Sequence, residues 1–314
     1  MIEETQLEDI VYALAASPSF EEDGLCFAAR PTGLYRSQDG GRSWQDAYAS
    51  LDLSAALTTP AVALSPAFET DATLFAGAPG GVLRSADAGL SWHVASFPPP
   101  PPFVSSLAIS PNYARDGTLF AATLEDGVFR SGDRGQHWAA WNFGLLDLNV
   151  LALAISPAYA HDETLFAATE SGLFRSTNGG RAWREVDLPT QFAPALSLAI
   201  SPGYAHDGTL FAGTEAHGLF RSRDGGATWQ RLAEALLTSA VNSITLSPDF
   251  PAQSDILALH EDTLLVSRDG AASWVNWETD TAIDAAVASV AAPHGLTPGA
   301  TLLLGLMDGT VLRV

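Results

Sequence analysis

Lysine is absent from this sequence, and its 15 basic side chains are all arginine, set against 36 carboxylates. The resulting net charge of −21 repels phosphate backbones and anionic lipid surfaces, which argues against nucleic-acid and membrane partners. The partners such a chain attracts are basic protein surfaces and cations. Cysteine is nearly absent as well. Cys26 stands alone in an apolar stretch, so there is no disulfide framework, and the residue reads as a small core hydrophobe. No uninterrupted apolar run approaches membrane-spanning length. The first residues, Met1-Ile2-Glu3-Glu4-Thr5, are acidic and carry no apolar signal-peptide core, and the expected location is cytoplasmic. No glycine-rich phosphate loop leads into a helix, and no Ser-His-Asp or Cys-His set stands out, so no cofactor is expected.

What the chain has is repetition. Ser37-Gln38-Asp39-Gly40-Gly41-Arg42-Ser43-Trp44 returns at Ser85–Trp92, Ser131–Trp138, Ser176–Trp183, Ser222–Trp229 and Ser267–Trp274, as Ser-x-Asp-x-Gly-x-x-Trp with Asn178 in place of Asp once and Ala271 in place of Gly once. The fixed positions are Asp39, Asp87, Asp133, Asn178, Asp224 and Asp269, each followed by Trp44, Trp92, Trp138, Trp183, Trp229 or Trp274. The Trp residues lie 48, 46, 45, 46 and 45 apart. A short Asp or Asn side chain accepts backbone N–H groups and closes a turn, and Gly supplies positive φ. Apolar alternation on both sides makes the segment a hairpin, and the Trp fills the gap between neighbouring sheets. These residues therefore read as structural rather than catalytic.

A second motif precedes each box: Ser-Pro-x-aromatic, then Asp-x-Thr-Leu-Phe-Ala, as in Ser156-Pro157-Ala158-Tyr159 followed by Thr164-Leu165-Phe166. Weaker copies begin at Ser17 and Ser247, and a worn seventh runs from Ala292-Pro293 to Leu302. Each unit reads as four short strands, and four-stranded units at this period predict a β-propeller. Seven blades are expected, near 8–50, 56–97, 103–143, 148–188, 194–235, 240–279 and 284–314 of a single domain. Blade seven runs out of chain before its outer strand. Counting back from Ser17 puts residues 1–6 in that place, so Ile2–Gln6 is expected to pair on Val311–Arg313 and close the ring. The run Pro98–Pro102 reads as a stiff connector, with docking to an aromatic groove as the other reading.

The box resembles the Asp-box, or BNR, repeat over essentially the whole chain. That resemblance implies a propeller and leaves function open, because it is shared by sialidases, other glycosidases, sortilin-like receptors and photosystem assembly factors. A sialidase needs three arginines converging on one carboxylate, and after those in boxes, before boxes and on outer strands are set aside only Arg30 remains on the expected ligand face. That face, opposite the boxes, is expected to carry Arg30, Glu125, Asp126, Glu170, Glu215, His217, His260, Glu261, Asp262 and Asp308. The repeated His161 and His206 fall on the box side. His260-Glu261-Asp262 supplies metal-ligand types on one turn, but adjacent residues point apart and no metal is assigned. The expected function is non-enzymatic, an acidic disc engaging a protein partner. The alternative is a glycan-binding or glycan-cleaving protein using paired carboxylates.

Overall fold

Runs of Leu, Phe, Ala and Val broken by Gly-containing turns satisfy their backbone groups in sheets. The computed structural model describes residues 9–98, 102–190 and 193–314, and it contains seven antiparallel sheets. The innermost strands are Ala13–Ala16, Ala61–Leu64, Phe103–Ile109, Val150–Ile155, Ala195–Ile200, Val241–Leu246 and Val287–Ala291. Each touches its two neighbours in turn, and the first touches the last, so the sheets are the blades of a closed seven-bladed propeller. Blade four is representative, with Val150–Ile155, Leu165–Thr169, Gly172–Ser176 and Arg184–Val186 paired in order.

The apolar inner strands suggest burial on both faces, yet they are only half-buried. They border the central axis, and the most enclosed element is the second strand. Leu74–Ala78, Leu165–Thr169 and Leu210–Thr214 are buried throughout. Seven buried clusters follow the joints between blades, each drawing on two successive sheets. The box Trp of one blade packs into a cluster containing aromatic side chains of the blade before it: Trp92 with Phe27 and Tyr48, Trp183 with Phe120, Trp229 with Phe166. Two of these indoles donate into the preceding blade, Trp92 Nε1 to the Ala47 carbonyl and Trp183 Nε1 to that of Trp141, both at 2.8 Å.

The box turn is built the same way each time. In the first, Asp39 Oδ1 accepts the backbone N–H groups of Arg42 at 3.0 Å and Ser43 at 2.9 Å, and the Ser37 hydroxyl donates to it at 2.8 Å. Asp39 Oδ2 accepts the Ser43 hydroxyl at 2.6 Å. Ser91, Thr228 and Ser273 give the same fourth bond in their boxes, and the His137 ring occupies that place at 2.6 Å. The one Asn, Asn178, is followed at that position by Ala182, whose backbone N–H donates to Asn178 Oδ1 at 2.9 Å but whose methyl group offers no side-chain donor. An amide presents one carbonyl and one N–H₂ group, so a second donor is needed only where the residue is Asp.

The two repeated motifs meet on one face. The Ser-Pro segments of the first five blades each form a single helical turn, such as Tyr204–Asp207, in which the Ser201 hydroxyl donates to Asp207 at 2.7 Å. The carbonyl closing that turn receives a box N–H: Gly225 to Gly208, Gly179 to Glu163 and Arg134 to Gly117, each at 2.9 Å. Two of the arginines before the boxes donate into the next blade. Arg36 Nε donates to the Ala88 carbonyl, and Arg221 donates to that of Gly270, both at 2.8 Å.

Closure uses the same joint as the rest of the ring. Ser197 Oγ, on the inner strand of blade five, donates to the Val241 carbonyl that leads into blade six, at 2.7 Å. Ser289 of blade seven donates to the Val11 carbonyl at 2.7 Å, across a separation of 278 residues. Val11 N–H in turn donates to the Leu306 carbonyl at 3.1 Å, and Phe20 and Cys26 share a cluster with Leu303. Among the described residues blade seven has three strands. The expected pairing of Ile2–Gln6 lies outside the described residues, as do residues 99–101 of the proline run. That run is anchored at both ends: Phe97 stacks on Phe129 at 4.5 Å, and the Pro102 carbonyl receives Gly80 N–H at 2.7 Å.

The fifth box position shows why Gly recurs. Gly226 has φ +89°, and a Cβ there would lie 2.7 Å from Phe166 Cε1 of the preceding blade. Box six has Ala271 in that position, also left-handed at φ +74°. We expect Gly226→Ala to cost about 2 kcal/mol or more from strain and overlap. Ala271→Gly should relieve up to about 1 kcal/mol, raising the melting temperature by about 2 °C. Calorimetry on the two variants checks both signs, and equal effects at the two sites would contradict the assignment.

Candidate functional site

The box carboxylates are held by their own turns. Asp224 and Asp269 are lowered to about 2, first by the hydroxyls of Thr228 and Ser273 and then by backbone N–H groups and the box Ser. Asp39 is lowered further, led by the Ser43 hydroxyl. At Asp133, desolvation acts upward, but the N–H and ring of His137 bring the group to about 2. A carboxylate that accepts four bonds within its own turn is a poor acid, base or nucleophile. Cys26 is similarly inert, because burial pushes its thiol up to about 12.

The opposite face is formed by the turns between second and third strands together with the links between blades. Backbone bonds join the two there: Thr59 N–H to the Arg30 carbonyl, Gly127 N–H to that of Leu148, and Val11 N–H to that of Leu306. The structure brings Glu125, Asp126, Glu170, Glu215, Glu261, Asp262 and Asp308 to this face, with Arg30, His217 and His260 half-buried beside them. Arg30 is already paired. It contacts Asp9 at 3.1 Å and lies over the Tyr35 ring at 4.7 Å. Among the described residues, no other ion pair falls on this face; the rest tie residues of the box side.

The face is ordered locally rather than converging on a centre. Asn149 bridges two blades, accepting Glu125 N–H at 3.0 Å and donating to Glu170 Oε2 at 3.1 Å. Asp147 accepts the N–H groups of Asn149 and Ser171, which hold it below its ordinary value against the upward pull of partial burial. Asp308 is lowered by the Thr310 N–H. His260 Nε2 lies 3.0 Å from Ser239 Oγ, and Glu261 takes φ +54°, so the three residues of that turn diverge. Among the described residues, no three His, Cys, Asp or Glu side chains gather as metal ligands. None of the eight Trp side chains is fully exposed; Trp183 is buried and the other seven are partly buried, with Trp277 lining a pocket beside Asp262 and Asp284.

Sequence reasoning missed a different feature. Phe143 is 81% exposed and Leu146 79% exposed, both in the link between blades three and four. Phe143 also forms one wall of a cavity of about 570 Å³, lined further by Trp183, Arg175, Arg184, Glu185 and Asp187. The signal was present as Phe143-Gly144-Leu145-Leu146-Asp147-Leu148, a run of apolar residues in a position that a solvent-facing connector would fill with polar ones.

No family model matches the chain, and no curated protein matches it. Solved structures do. The GH74 xyloglucanase from Xanthomonas campestris superposes with a TM-score of 0.74 at 18% identity, covering 98% of this chain and 52% of its own. YCF48 bound to D1 peptide superposes at 0.71 and 16% identity, covering 98% of this chain and 94% of its own. The extracellular domain of the putative one component system BT4673 from B. thetaiotaomicron superposes at 0.69 and 16% identity, covering 97% and 38%. The chain thus spans about half of the xyloglucanase and nearly all of YCF48. At these identities the likeness establishes the propeller fold.

The depressed box carboxylates predict an acid transition. Each is ionised in the fold below the pH at which a free Asp protonates, so its contribution is complete above about pH 4 and is lost as pH falls toward about 2. Asp224→Asn/Asp269→Asn should melt below the wild type at neutral pH. The gap should narrow steadily between those two pH values, as melting curves across the range would reveal. A gap constant with pH would show that ionisation of these groups does not stabilise the turns.

Proposed function

We propose that this propeller is a non-enzymatic binding module whose acidic turn face engages another protein. One observation carries the reading: the exposed carboxylates of that face have no cationic neighbours among the described residues, apart from Arg30, which Asp9 already holds. Uncompensated charge of one sign steers a partner of the opposite sign and accelerates encounter. The likeness to YCF48, whose structure holds a peptide and whose length this chain nearly matches, supports the same reading. So does the lack of a fully exposed Trp, because sugar sites favour open aromatic platforms. The cytoplasmic location expected from the sequence belongs to this proposal as well.

The likeness to GH74 xyloglucanases supports a second reading, hydrolysis of a glycan by paired carboxylates. Incubation with xyloglucan separates the two. We expect no release of reducing ends. We also expect a crosslinked protein partner whose capture weakens as salt rises, and weakens again when Glu215, Glu261 and Asp262 are changed to Gln or Asn. Sugar release abolished by a carboxylate substitution would overturn the proposal, as would capture indifferent to both salt and these changes.

A further inference from the structure

Large apolar side chains held in water mark a surface that something else covers. The link between blades three and four holds three of them within six residues, Phe143, Leu146 and Leu148. Phe143 and Leu146 are the two most exposed large hydrophobic side chains among the described residues. Other links carry single examples, Leu53 between blades one and two and Ile283 between blades six and seven.

This link is fixed in place. Leu145 is buried in the cluster shared by blades three and four. Trp183 N–H donates to the Phe143 carbonyl at 2.8 Å, anchoring the rim end. Asn142 donates to the Asp126 carbonyl at 2.8 Å and accepts Val128 N–H at 2.8 Å, while Asn149 holds the other end against Glu125 and Glu170. A loop held at both ends loses little freedom on binding, and that preorganisation favours affinity.

Charge decides what covers it. Residues 141–149 contain no cation, and the carboxylates of Glu125, Asp126, Asp147 and Glu170 belong to this link and the two turns bonded to it, while in the adjoining cavity Arg175 and Arg184 are accompanied by Glu185 and Asp187. A second copy of the chain would bring its own −21 against the first. We propose that the joint of blades three and four is the docking site for a segment of a protein partner in which large apolar residues are flanked by Arg or Lys. The apolar groups would cover Phe143 and Leu146 and enter the adjoining cavity, and the basic groups would meet the carboxylates on the turn side. The inference rests on the protein-binding reading and assigns it a place and a chemistry.

The test begins with selection from a random phage-displayed peptide library on the intact wild-type protein. The selected peptides, made synthetically, are then titrated against Phe143→Ser/Leu146→Ser and against Leu53→Ser/Ile283→Ser as a control. Both pairs are exposed, and circular dichroism checks that the variants fold. We expect enrichment of apolar residues flanked by Arg or Lys. Affinity should fall at least about tenfold in the first variant and stay unchanged in the control, the size expected when a central apolar anchor is lost. Peptides that bind both variants like the wild type would overturn the location and leave the protein-binding reading standing. Selection of no peptide would overturn both. Selection of acidic peptides would overturn the charge argument, and so would self-association in sedimentation that the first variant abolishes.

Discussion

The structure depends on what happens where one blade meets the next. A carboxylate gathers the N–H groups of its own turn and so brings a glycine backbone against the preceding sheet. Into that gap comes a Phe side chain from the second strand, Phe27 at Gly89, Phe75 at Gly135, Phe120 at Gly180 and Phe166 at Gly226. The Trp three residues on packs into the same joint. Turn geometry and core packing are thus one interaction, and its repetition makes a ring of short sheets that would be too small to be stable singly. Where blade seven offers Leu303 in place of Phe, a Cβ added at the facing Gly41 would lie 3.7 Å from Leu303 Cδ2, an ordinary contact, and the joint still closes.

Much of this was legible in the sequence because the residues involved have few alternatives. Only Gly readily takes positive φ against an approaching ring, and only Asp or Asn caps such a turn this compactly. Their period therefore gave the blade count and the orientation of the two faces. Other features were invisible for physical reasons. Burial of the inner strands was overestimated because Val150–Ile155 is apolar, and periodicity does not distinguish a strand between two sheets from one beside an axial channel. The Ser289–Val11 bond joins residues that only ring closure brings together. The pairing of Asp with a donor four residues on, and of Asn178 with Ala182, is visible in the sequence only once the turn geometry says which atoms meet.

The candidate site was legible in composition and not in shape. Counting placed carboxylates on the turn face, and the structure puts Glu125, Glu170, Glu215, Glu261 and Asp308 there. It also shows Arg30 engaged with Asp9, which the count could not. The exposed Phe143 and Leu146 escaped notice because an apolar residue in a link is ordinarily read as core, as Leu145 beside them is. Which of three adjacent hydrophobes turns inward is set by the backbone path that Asn142, Gly144 and Asn149 impose. Together these features describe an acidic disc in which, among the described residues, the joint of blades three and four carries the most exposed apolar side chains.

All of this requires that blade seven meet blade one as every other pair meets. Electron–electron spin distances test it directly, and the buried thiol of Cys26 leaves introduced cysteines free to be labelled alone. One pair, Glu22→Cys with Glu69→Cys, spans the joint of blades one and two. The other, Glu22→Cys with Thr297→Cys, spans the joint of blades seven and one. A closed ring predicts a single short distance for both pairs. A long or broad distribution for the second pair beside a short one for the first would contradict closure, and with it the account of the joints.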